Sequence, residues 1–104
     1  MKIAIALIVL AASIPALASN SFEDRAKACR AVGFQTADDI TQCLSETGNK
    51  DSSIITACAS VGFRLADDVH TCINLAQASR FVQTCGAIGY TSADDLLTCI
   101  GMAH

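Results

Sequence analysis

The chain has 104 residues with a formal net charge of −3, six cysteines, no tryptophan, one tyrosine and four phenylalanines. The acidic balance argues against nucleic acid and anionic membrane surfaces as partners, since both call for basic patches. With so little aromatic material, one hydrophobic core of this size is only modestly stabilising, and covalent staples are expected.

The first eighteen residues read as a cleaved secretory signal peptide. Lys2 supplies a basic n-region, Ile3 to Ile14 an apolar run, and Pro15 followed by Ala16-Leu17-Ala18 a small-residue cleavage site. That run is shorter than the roughly 20 apolar residues a membrane-spanning helix needs, so no stable membrane insertion is expected. The first cysteine is Cys29, far from the cleavage site, which argues against a lipid anchor there. The expectation is a secreted or periplasmic protein. Residues 19–104 carry six basic and ten acidic side chains, a net charge of −4, and are expected to form a single helical domain.

One pattern recurs three times, from Cys29 to Leu44, Cys58 to Ile73 and Cys85 to Ile100. It reads CxxΦG[FY]xxADDΦxxCΦ, with Φ aliphatic, and repeats at intervals of 29 and 27 residues. A unit this short cannot bury its apolar face alone and must stack on its neighbours. The repeats span 22–48, 51–75 and 78–102.

Each copy predicts a helical hairpin. Its first helix carries an inner face of Ala26, Cys29 and Val32, then Ile55, Cys58 and Val61, then Val82, Cys85 and Ile88. Gly33, Gly62 and Gly89 stop these helices in the left-handed conformation, and Phe34, Phe63 and Tyr90 follow where a side chain packs back on the last turn. The second helix starts at once. Thr36 and Ser92 are good N-caps, with Asp39 and Asp95 three residues on, whereas copy two has Leu65 at the cap. Ala37, Ile40, Cys43 and Leu44, with their counterparts in the other copies, form one buried stripe. Ser45 to Ser53 reads as a turn-rich linker, and Asn74 to Phe81 as either continuous helix or a break with Ser79 as cap. The fold class is therefore all-α, three disulfide-stapled helical hairpins of about six short helices stacked as a small repeat domain.

Six cysteines in an exported chain imply a disulfide framework. The two within each repeat are always 14 apart, whereas Cys43 to Cys58 is 15 and Cys72 to Cys85 is 13. The constant interval favours Cys29–Cys43, Cys58–Cys72 and Cys85–Cys99. There is no CxxC pair, and neither histidine falls at a repeated position, so no metal site and no cofactor is expected.

Catalytic chemistry is not announced. The pairs Asp38-Asp39, Asp67-Asp68 and Asp94-Asp95 fall in first helical turns, where carboxylates offset the macrodipole, and no calcium loop of alternating acids accompanies them. His70 lies outside the buried stripe, aligned with Thr41 and Leu97, and is expected to be solvated; His104 ends the chain. Bridged cysteines supply no nucleophile, and no GxSxG elbow or phosphate loop is present. An enzyme is not expected.

Positions that differ between copies are where a function would be placed, among them Arg30, Ala59 and Gly86, or Thr41, His70 and Leu97. Leu65 and Leu97 are apolar where their counterparts are polar, and with Arg64 and His70 they define a candidate binding surface. The leading reading is a non-catalytic binding or interaction module with a protein partner. A carrier of a small apolar ligand or lipid, and a secreted effector or inhibitor, are the alternatives.

Overall fold

The structure, a computed structural model, describes residues 21–104. The expected signal peptide lies outside the described residues. Six helices follow one another: α1 (Phe22–Ala31), α2 (Ala37–Thr47), α3 (Ser53–Ser60), α4 (Ala66–Leu75), α5 (Ser79–Ile88) and α6 (Ala93–Met102). Among the described residues there is no strand, and no helix is long and apolar enough to cross a membrane.

Local chemistry sets most of the helix ends. Ser21, Thr36 and Ser92 accept from the backbone N–H of Asp24, Asp39 and Asp95, each at 3.2 Å, and so satisfy donors that the first turn leaves open. Gly33, Gly62 and Gly89 turn the chain between paired helices at φ of 93°, 97° and 91°, a region costly for any residue with a Cβ. Each hairpin is then closed covalently. Cys29–Cys43, Cys58–Cys72 and Cys85–Cys99 join α1 to α2, α3 to α4 and α5 to α6, with Cα separations of 5.9, 5.8 and 5.9 Å, inside the normal disulfide range.

The hairpins stack in chain order. α1, α3 and α5 pack side by side as one layer, and α2, α4 and α6 as the other. The middle hairpin is covered on both sides and supplies more of the core than either neighbour: Ile54, Ile55, Ala57 and Cys58 from α3, and Val69, His70, Cys72 and Ile73 from α4. The first hairpin buries only Cys29, Cys43 and Thr47 in its helices, the third Val82, Cys85, Leu96, Leu97 and Ile100. Fully burying an isoleucine such as Ile55 contributes about 1.5–3 kcal/mol, so the stacking interfaces through hairpin two carry much of the stability.

Stacking also explains where the structure departs from sequence expectation. His70 and Leu97 are buried, at 3% and 9% exposure, while their counterpart Thr41 is exposed. This position faces the preceding hairpin, which the first copy lacks among the described residues, so a second face of α4 and α6 is buried beyond the stripe seen in the sequence. At the other end of the stack Ile88, expected on an inner face, is 59% exposed, because no further hairpin among the described residues covers it.

The linkers differ as well. α2 runs through Thr47, so Ser45 to Thr47 are helical rather than linker, and the buried Thr47 hydroxyl donates to Cys43 O at 2.6 Å. Between α4 and α5 the chain breaks at Ala76 to Ala78, and Ala78 is the N-cap, with Ser79 already inside the helix. No glycine or proline causes this break. The Lys50 ammonium donates to Ile73 O and Asn74 O at 2.7 and 2.8 Å, closing the C-terminus of α4, where a cation is electrostatically favoured.

Candidate functional site

Because every hairpin turns at the same end, the three glycine turns line up along one edge of the stack. This edge consists of the last turns of α1, α3 and α5, the segments 33–36, 62–65 and 89–92, and the first turns of α2, α4 and α6. Two grooves lie between successive turns. The first, between hairpins one and two, has a volume of about 450 Å³ and is walled by Val32, Phe34, Asp39, Phe63 and Val69. The second, between hairpins two and three, has a volume of about 380 Å³ and is walled by Val61, Phe63, Asp68, Tyr90 and Leu96. Arg64 and Leu65 line both, forming the ridge that separates them.

Leu65 is the anomalous residue of this edge. Its backbone has the extended N-cap conformation (φ −106°, ψ 139°), close to that of Thr36 and Ser92, yet it offers no side-chain bond to the first turn of α4. Its side chain is 64% exposed. A capping hydroxyl at such a site contributes about 1 kcal/mol, which this leucine forgoes.

Beneath the first groove lies a polar cluster that the sequence did not announce. His70 Nδ1 is 2.7 Å from Glu46 Oε1, and His70 Nε2 is 3.1 Å from Asp39 Oδ1. The ring stacks on Phe34, with centroids 4.7 Å apart and planes at 3°. Glu46 Oε2 also accepts from Gln42 Nε2 at 2.9 Å and Asn74 Nδ2 at 3.1 Å, and Asp39 Oδ2 accepts from Thr36 Oγ1 at 3.0 Å. Burial works against a charged His70, but the hydrogen bonds to Glu46 and Asp39 outweigh it and hold the imidazole above its ordinary value of 6.5. Asp39 is correspondingly held below its ordinary range by its bonds to His70 and Thr36. Burial lowers the Lys50 ammonium, opposed by the charge of Glu46.

Chemically, the cluster is a clasp. Both ring nitrogens of His70 are engaged by carboxylates, so neither is free to serve as a general base toward a bound molecule. The two carboxylates approach opposite ends of the ring and do not converge on one point. Among the described residues no group of three or more His, Cys, Asp or Glu side chains could hold a metal ion. The paired aspartates lie in the first turns of α2, α4 and α6, and there is no free cysteine.

Of the four residues that the sequence put forward as a binding surface, the structure brings Arg64 and Leu65 together on the exposed ridge. His70 and Leu97 are removed from that surface by burial against the preceding hairpins. The expectation of a solvated His70 is therefore corrected. The residues missed were Phe34, Asp39 and Glu46 as partners of His70, and Tyr90 as a groove wall; the one sequence signal was a histidine replacing Thr41 and Leu97 at a helical position. Comparison with protein-family models, with curated proteins and with solved structures finds no match to the chain.

Proposed function

We propose that this protein is an exported, non-catalytic binding module whose turn edge receives an extended segment of a protein partner along the two grooves. The observation that carries the reading is Leu65. A position suited in backbone to a capping hydroxyl instead holds an exposed leucine, flanked by Arg64, on the ridge that both grooves share. A residue that gives up local stability to display apolar surface is characteristic of a site kept for function. Three disulfides in a small domain favour an oxidising compartment, in keeping with secretion or a periplasmic location.

A second reading, a carrier of a small apolar ligand, has in its favour the second groove, whose volume and Val61, Phe63, Tyr90 and Leu96 walls suit a small molecule. Native mass spectrometry of the protein recovered from its own compartment separates the two, with wild type compared against Leu65→Thr. A macromolecular complex present in wild type and lost in a folded Leu65→Thr variant is the expected result. A reproducible small-molecule adduct would put the carrier first, and a bare chain in both samples would sink both readings.

A further inference from the structure

The clasp and the first groove share residues. Phe34 and Asp39 wall the groove on its outer side and hold His70 on their inner side, so whatever His70 does to them alters the groove. Only the doubly protonated ring can donate to both carboxylates at once. A neutral ring donates from one nitrogen and turns a lone pair toward the carboxylate at the other. The contact that yields is the one to Asp39. It is the longer of the two, at 3.1 Å against 2.7 Å, and the Asp39 side chain is 28% exposed, whereas Glu46 is 8% exposed and anchored by Gln42 and Asn74.

We infer that His70 is a proton-operated gate on the first groove: protonated, it holds Asp39 inward and cancels its charge; deprotonated, it releases Asp39 and opens the groove to a cationic, partly apolar peptide segment. This rests on the reading of the turn edge as a binding surface and names its regulation and the charge of its partner. The charge assignment follows from the rim. Asp39 is the acid and Arg64 the cation in the lining of the first groove, and Asp38 and Asp67 stand in the first turns of α2 and α4 on the same edge. Freeing Asp39 from an imidazolium makes that rim more negative, which favours a cation by simple complementarity.

The groups facing His70 are few. From α2 come Asp39 and Glu46, and from the turn before it the uncharged Phe34 ring. Lys50, ahead of α3, acts on Glu46 and lies at the end of α4, while no charged group of α3 or α6 contributes to His70. His70 binds its proton more tightly folded than unfolded, so its contribution to stability is complete below pH 6.5 and is lost as pH rises through the higher folded value. Asp39 contributes above its ordinary 3.8, and that part is lost as pH falls through its lowered folded value. The clasp is therefore strongest between those limits and opens on the alkaline side.

The test is an NMR titration of the isotopically labelled protein from pH 5 to 8.5, with and without a blocked heptapeptide of alternating lysine and leucine. Amides of residues 33–36 and 63–66 are expected to shift with the same midpoint as the His70 ring. The peptide should bind at least about 5-fold tighter at pH 8 than at pH 5.5. Both effects should vanish in His70→Gln, which cannot take a second proton. If that variant fails to fold, Asp39→Asn retains the histidine and should lower its midpoint while removing the groove response. A His70 that titrates while residues 33–36 and 63–66 stay still, or equal peptide affinity at both pH values, overturns the gate. If native complexes nonetheless depend on Leu65, only the gate falls; if neither the peptide nor any complex depends on the edge, the binding reading falls with it.

Discussion

Position 86 shows how a residue that differs between repeats can be set by packing alone. Arg30 and Ala59 occupy it in hairpins one and two, and the variation looked like a place for function. In the structure a Cβ at Gly86 would lie 2.8 Å from Val61 Cγ1, so this glycine lets α5 approach the end of α3 closely. Two effects oppose each other in Gly86→Ala. Helix propensity gains about 1 kcal/mol, whereas overpacking costs about 1–3 kcal/mol, and a β-branched valine has no easy rotamer in which to retreat. The expected result is a net loss of about 1 kcal/mol, read as a fall in melting temperature of roughly 4–8 °C. Val61→Ala combined with Gly86→Ala should recover part of it. Equal or higher stability of the single variant would show that the two helices move apart without cost.

At the scale of one helix, α4 tests whether stability was given up at the turn edge. Leu65→Thr places at its start the hydroxyl that Thr36 and Ser92 supply to α2 and α6. Denaturant unfolding should show a gain of about 0.5–2 kcal/mol, accompanied by loss of the partner complex. A destabilised variant would mean that Leu65 packs usefully where it stands and that its exposure is incidental. The same helix marks the limit of what the sequence discloses. Its glycine stop before, its aspartate pair, its inner stripe and its bridge to α3 were legible, because each depends on residues within one repeat. The burial of His70 and the closure of its C-terminus by Lys50 were not. They depend on partners 23 to 31 residues away that only the packing of hairpins brings near. The ridge was half legible: Leu65 and Arg64 differ from their counterparts in the sequence itself, but the groove on each side exists only once the turns are aligned.

For the molecule as a whole, three staples of equal span make a controlled comparison. Each bridge closes a loop with a separation of 14 residues, so the chain-entropy contribution of each is the same, about 3 kcal/mol. Differences between their removals must then come from the stack. In a quasi-one-dimensional array, stability is a sum of unit and nearest-neighbour terms. α3 touches α1 and α5, and α4 touches α2 and α6, so hairpin two takes part in both interfaces while the outer hairpins each take part in one. Replacing Cys29 and Cys43 by alanine should loosen α1 and α2 and leave α3 to α6 protected from hydrogen exchange. Replacing Cys85 and Cys99 should do the mirror image. Replacing Cys58 and Cys72 should strip protection from all six helices together, since among the described residues neither outer hairpin has another neighbour to lean on. Segment-resolved hydrogen exchange distinguishes these patterns directly. Uniform loss of protection in all three variants would mean one indivisible cooperative core. It would also mean that a change at the first groove is felt across the whole chain rather than within the hairpins that form it.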